Sequence, residues 1–292
     1  MKTTKPAPHP TADTGSAARM IARRPRKIEA VDGDVADSRL FVAALARGLE
    51  ILSSFRIGDG PLGNQELARR SGLPKPTVSR MTHTLTQLGY LTFDPRTETY
   101  ELGGRTVSLG YAAISNVDIR RVARPLLEEI ADRGNVHIAL AIRDKLMLLA
   151  VDTWEGRSLV GLRMPPGTRM PIATTAGGKA YLAAVSTTER AEILDRVRAQ
   201  HGDEWPRIER SVEKAAREME RRGFCLSLGE WQSDINAVGA AVHLPNGSVY
   251  ALALGGPAYL VQRDQLEDEF GPLLAAAARQ IEAQLGAERA PR

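Results

Sequence analysis

Cysteine is almost missing from this sequence: Cys225 is alone among 292 residues. One thiol closes no intrachain disulfide and builds no cysteine-rich zinc site, and such usage fits a reducing cytoplasm. The five histidines are scattered along the chain, so no metal centre is expected. No secretory leader is expected either, because Lys2 and Lys5 are followed by Pro6, Pro8, Pro10 and Asp13 instead of an apolar core. The stretch Ile235–Gln262 holds no Asp, Glu, Lys or Arg, yet it contains Asn236, His243, Pro245, Asn246 and four glycines. A spanning helix wants about 20 predominantly apolar residues without such a break, so two buried strands joined by a hairpin fit better and no membrane partner is expected. Gly177-Gly178-Lys179 lacks the first half of a phosphate-binding loop, and no dinucleotide glycine motif is found, so no cofactor is expected. One-sided charge is also lacking: 39 basic residues stand against 35 acidic ones.

What is there suffices for real cores. Hydrophobic residues make up 43% and charged residues 25%, which suits a chain of two domains. Residues 1–38 lack periodicity and read as a disordered tail with a basic cluster at Arg23, Arg24, Arg26 and Lys27. Residues 288–292 read as a second short tail. Residues 39–105 carry nine basic against six acidic residues, whereas the chain beyond carries 23 against 24. The positive excess therefore sits in the N-terminal third.

Within residues 39–104, Leu45, Leu49 and Leu52 repeat at helical spacing, with Val42, Ile51 and Phe55 widening the apolar stripe. Asn64 is a suitable N-cap for a second helix with Leu67 and Ala68 inward, and Ser71-Gly72 makes a turn. A third helix begins near Pro76, with Val78, Met81, Leu85 and Leu88 on one face. Tyr90–Phe93 and Thr99–Leu102 follow as strands around a turn that carries Arg96. This order is that of a winged helix-turn-helix. Ser79, Arg80 and His83 then face outward, while Lys75, Pro76 and Thr77 occupy the first turn. Hydroxyls and a helix N-terminus suit phosphate oxygens, and Arg80 can read guanine N7 and O6 in the major groove of double-stranded DNA.

Residues 105–117 read as a linker helix. Residues 118–287 open with a helix, Ile119–Ala131, and then switch to period two at Val136–Ile142 and Leu146–Val151. Leu159–Leu162, Phe224–Leu228, Val238–His243 and Val249–Leu254 are further strand candidates. Thr174–Ala184, Thr188–Ala199, Glu209–Arg222 and a stretch from Val261 to Leu285, broken near Gly271-Pro272, are helical. Strands flanked by helices point to an α+β sensor domain. Thr174 or Thr175 caps a helix whose first turn, Ala176, Gly177 and Gly178, has little side chain. Free N–H groups and the helix dipole there would seat an anion. The run Glu230–Asn236, with Trp231, Asp234 and Asn236 and next to Ala237, supplies a second wall, and Met164 an apolar one, although Trp231 equally suits the core or a loop and Met164 suits the core better. A capped helix with packing glycines explains the first set equally well.

Several blocks go further than periodicity. Arg47-Gly48-Leu49-Glu50-Ile51-Leu52, the run from Glu66 to Arg80 (Glu-Leu-Ala-Arg-Arg-Ser-Gly-Leu-Pro-Lys-Pro-Thr-Val-Ser-Arg), Leu88-Gly89-Tyr90-Leu91, Tyr100-Glu101-Leu102-Gly103 and Thr174–Ala183 resemble the isocitrate-lyase-regulator (IclR) family of bacterial transcription factors. The resemblance runs from about Leu40 to Leu285. It implies a winged-helix DNA-binding domain, a linker helix and a GAF-like effector domain. It also implies a homodimer or dimer of dimers on a palindromic operator, controlled by a small metabolite, often a carboxylate. Two departures stand out. Pro76 replaces a common serine. The family's Gly-Val-x-Cys-x-Ala-Ala-Pro segment reads Asp234-Ile235-Asn236-Ala237-Val238-Gly239-Ala240-Ala241, without the cysteine or proline, which implies a different effector.

Helix-turn-helix modules also serve protein contacts, which would make the chain a ligand sensor without DNA. An enzyme built on Cys225, His137, His243 and Asp234 has no motif to join those residues, so no catalytic residue is expected.

Overall fold

The computed structural model describes residues 40–115, 118–156 and 162–288. The N-terminal tail, residues 289–292 of the second tail and most of the Leu159–Leu162 strand candidate lie outside these residues. The chain divides into two compact units between Gly110 and Tyr111, and the division falls inside a helix.

The first unit holds α1 (Ala43–Ser53), β1 (Leu62–Gly63), α2 (Asn64–Ser71), α3 (Lys75–Gln87), β2 (Leu91–Asp94) and β3 (Thr99–Leu102). The α2–α3 turn closes on Gly72, whose φ of 69° is a conformation that side-chain-bearing residues avoid. Pro76 sits in the first turn of α3, where its missing N–H leaves no helical bond unmade. Ile51, Leu62, Leu67, Val78, Leu85, Leu91 and Tyr100 form the core. The antiparallel wing gains β1 as an unforeseen third strand, in the order β1-β3-β2.

Three sequence expectations need correction here. Asn64 is the first residue of α2, not its cap; the cap position is Gly63, and Asn64 Oδ1 instead lies 3.4 Å from Thr82 Oγ1 on α3. Leu45 and Leu49 are not core residues: they are 61% and 53% exposed, and Val42 is exposed too. Leu88 is likewise exposed, whereas Thr82, which was not on the expected apolar face, is buried with its hydroxyl donating to the Val78 carbonyl. Helical spacing locates an apolar face without saying what covers it.

α4 (Gly104–Ser115) follows the wing, then α5 (Asp118–Gly134). The second unit is built on a six-stranded antiparallel sheet, order β6-β5-β4-β9-β8-β7. Its strands are β4 (His137–Asp144), β5 (Met147–Glu155), β6 (Arg169–Pro171), β7 (Cys225–Leu228), β8 (Ile235–His243) and β9 (Val249–Pro257). Between β6 and β7 lie α6 (Ala176–Ala184), α7 (Thr187–His201) and α8 (Trp205–Arg222). A π-helical turn, Leu266–Phe270, runs into α9 (Gly271–Glu288), so Gly271-Pro272 continues a helical path instead of breaking it. β6 was not foreseen.

Each strand puts alternate residues on opposite faces. Ile138, Leu140, Val238, Val242, Leu252 and Leu254 join the cluster with α5 and α9. Ala139, Ala141 and Ala251 join the cluster with α6, α7 and α8. The second face is lined by small residues, so α6 approaches closely. A Cβ on Gly239 would stand 2.2 Å from the Ala176 carbonyl oxygen, and one on Gly178 2.0 Å from that of Ile172.

Candidate DNA-reading and effector sites

α3 presents Lys75, Pro76, Ser79, Arg80 and His83 to solvent, with Thr77 half-buried. They lie on the side opposite Val78, Thr82 and Leu85, which are buried. The helix is held from behind by α2, where Arg70 joins Asp59 and Glu66 and also donates to the Ser54 carbonyl at 3.0 Å. Hydrogen bonds from Arg69 and then Arg70 hold the Glu66 carboxyl down at about 2. Arg96 stands at the wing tip, 87% exposed, with its backbone N–H on Asp94 Oδ1 at 2.9 Å. The predicted DNA set is thus an exposed column on α3 plus a separate wing-tip cation. Asn64 differs from the others, being half-buried between α2 and α3.

In the second unit Thr175 caps α6 as expected: its Oγ1 accepts from Gly178 N at 3.2 Å and donates to the Pro171 carbonyl at 2.7 Å. Ala176, Gly177 and Gly178 are all buried, and Gly177 faces Ala253 and Leu148. Thr174 is half-buried, and its carbonyl accepts from Ser227 Oγ at 2.9 Å. Met164 and Trp231 pack into one cluster between the sheet and α6–α8. The other two polar candidates do not join them. Asp234 is exposed, and its carbonyl accepts from Ala258 N at 2.7 Å. Asn236 lies on the Val238 side of β8, opposite Ala237, and its amide donates to the Val261 carbonyl at 3.0 Å.

A cavity of about 250 Å³ opens beside Thr174. Across it stand Arg207, Arg210, Ser211 and Lys214 of α8, with Glu230 from the segment after β7. Behind Glu230 is Lys179, 1% exposed, whose ammonium donates to Glu230 Oε1 at 2.7 Å and to Ser211 Oγ at 3.0 Å. None of these α8 residues was singled out in the sequence. The signal is cations at helical spacing, positions 207, 210 and 214, but the helix expected from the sequence begins only at Glu209 and leaves Arg207 out. Cys225 is wholly buried, and burial pushes its thiol up to about 12, far from a reactive nucleophile. Among the described residues no group of three His, Cys, Asp or Glu side chains is placed to hold a metal ion, and no helix is long and apolar enough to cross a membrane.

The wing, the helix-turn-helix and the exposed α3 define a DNA-binding transcriptional regulator. Family models match twice: the IclR helix-turn-helix domain over residues 44–95, and the C-terminal domain of bacterial IclR transcriptional regulators over residues 111–283. An HTH-type transcriptional regulator of Comamonas testosteroni, TsaQ1/TsaQ2, is 34% identical over 86% of this chain and 91% of its own length. An IclR-family regulator from Brucella abortus has a crystal structure that superposes with a TM-score of 0.77 at 40% identity, covering 87% of this chain and 97% of that one. A crystal structure of an IclR homologue from Microbacterium hydrocarbonoxydans complexed with 4-hydroxybenzoate shares the fold, with a TM-score of 0.66 at 22% identity over 84% and 100% of the two chains. The chain belongs to the IclR family and is a transcriptional regulator, not an enzyme.

Proposed function

We propose that this regulator binds a roughly palindromic operator as a homodimer, with α3 in the major groove, and that a small anionic metabolite controls the binding. The observation that carries the DNA half is the exposed Ser79–Arg80–His83 column on a helix braced from behind by a packed core. Ser79 and Thr77 suit phosphate oxygens, Arg80 a guanine edge, and Arg96 the backbone beside the wing. A palindrome calls for a two-fold assembly. The uncovered Val42 just before α1, Leu45 and Leu49 of α1, and Val107 and Leu109 of α4 supply apolar surface for it.

The effector half rests on the cavity beside Thr174 and on the cations that line it. A homologue that shares the fold is complexed with 4-hydroxybenzoate, which supports a small carboxylate as the class of effector. The sequence placed the carboxylate on the N–H groups of the first turn of α6. Burial of that turn, and the bond from Gly178 N to Thr175, favour Thr174 and the α8 side instead.

Selection of a bound duplex from a random pool, followed by titration at several salt concentrations, tests the DNA half. Arg80→Ala should weaken binding to the selected site by about 1–3 kcal/mol and change non-specific binding less. Equal operator affinity for parent and variant at matched salt would remove Arg80 as a reader. Absence of any salt-dependent duplex binding would favour a protein-contact role for the helix-turn-helix. A stable monomer by sedimentation at micromolar concentration would remove the dimer.

A further inference from the structure

α8 shows two unlike faces. Trp205, Ile208, Val212 and Ala215 are buried, while Arg207, Arg210 and Lys214 form one exposed column at i, i+3 and i+7. Like charges at that spacing repel one another. Lys214 has Glu218 at 3.8 Å. Arg207 and Arg210 have no hydrogen bond or ion pair among the described residues. All three line the 250 Å³ cavity, and the one carboxylate in its wall is Glu230.

Glu230 is already committed. A buried ammonium must keep its counter-charge, because losing one partner of such a pair leaves an uncompensated charge away from water. Lys179 takes one oxygen of Glu230, and the Ser211 hydroxyl donates to the other. The carboxylate therefore balances the lysine behind it and leaves the two guanidiniums in front unmatched.

We propose that this cavity takes a small polyanion, a metabolite with at least two carboxylates or a phosphate group, held by Arg207, Arg210 and Lys214 with the Thr174 hydroxyl at its other end. This rests on the reading of an anionic effector and deepens it: α8 reads the charge, not the start of α6. A singly charged acid satisfies one guanidinium and leaves the other exposed, whereas a polyanion bridges both.

Calorimetry on the full chain at fixed ionic strength tests it, with citrate and pyrophosphate as probes and acetate as the singly charged control. At least one probe should bind saturably at one site per chain, and acetate should not. The citrate and pyrophosphate arms separate carboxylate from phosphate recognition. Arg207→Ala with Arg210→Ala should lower the affinity by about tenfold or more. Arg217→Ala with Arg221→Ala, on the same helix but off the cavity, should leave it unchanged, and melting curves check that both variants fold. Equal losses in the two double variants would mean diffuse charge attraction and overturn the site. Binding of 4-hydroxybenzoate but of neither polyanion would overturn it and leave the effector reading standing. Failure of every anion to bind would remove both.

Discussion

The two faces of the central sheet are made from the same strands and do different things. One carries Ile138, Leu140, Leu252 and Leu254 beneath α5 and α9; the other carries Ala139, Ala141 and Ala251 beneath α6 to α8. Bulky branched side chains fill the first interface with their own volume. Small ones on the second bring helix backbone down onto the sheet, so that fit there depends on main-chain distances. The polar groups follow the same division. Near the α5 face, Asp152 is fixed by Arg120 at 2.8 Å and Arg124 at 3.2 Å. On the other side lie the cavity beside Thr174, the Lys179–Glu230 pair and His137.

The comparison breaks most sharply at Leu252 on the bulky face. Leu252→Ala should destabilise the second unit by about 2–5 kcal/mol, because the residue is fully buried and a cavity remains. Denaturant titration measures this; a loss under 1 kcal/mol, roughly a single methylene, would show that the face yields as readily as the other.

The second prediction uses pH. His137 lies on the small-residue face, next to Gly255 and with Glu155 Oε1 at 3.9 Å, and neither ring nitrogen has a hydrogen-bond partner among the described residues. Burial holds its pKa down at about 4, against 6.5 when free. The unfolded chain takes up this proton before the folded one does. The stability from keeping the ring neutral is therefore fully present above pH 6.5 and is lost as pH falls from there toward 4, by about 3 kcal/mol in all. His137→Gln should flatten that part of the pH–stability profile; an unchanged slope would assign it to other groups.

A third, smaller effect concerns the close approach itself. Gly178→Ala places a methyl against the Ile172 carbonyl and should cost about 1–3 kcal/mol. The same variant should weaken any response to small anions more than it weakens duplex binding. Ligand titrations by fluorescence, set beside gel shifts, would show whether the two losses separate. The smallest effect belongs to the outer surface: Glu128→Ala removes an exposed partner of Arg124 at 2.9 Å and should change stability by about 0.5 kcal/mol or less.

Much of this was legible in order and type. The strand Thr99–Leu102 and the helix-turn-helix before it follow from local spacing and turn residues, which act over a few positions. β1 and β6 were missed because two or three residues carry no period; they are strands only because β3 and β5 offer them partners. Among the candidate site residues, the α3 column was legible because a helix with three inward positions fixes which residues face out. Asn236 was misjudged for a similar reason in reverse. Its polarity stood out, but its face of β8 is set by register with β9, which no local pattern reveals. Arg207 and Arg210 were hidden among many charges, since only the neighbouring Thr174 and Glu230 turn one side of α8 into a wall.

The single thiol offers a use that has nothing to do with regulation. Cys225 sits fully enclosed on β7, its sulfur 3.5 Å from the Ala176 carbonyl of α6. Ala180 of α6 and Ala215 and Met219 of α8 pack around it, so a thiol reagent can reach it only when one of these helices lifts away or the domain unfolds. Labelling rates measured against reagent concentration would therefore clock that opening, without engineering a probe into the protein. Repeated with and without a small anion, the clock would report how tightly the occupied domain is shut.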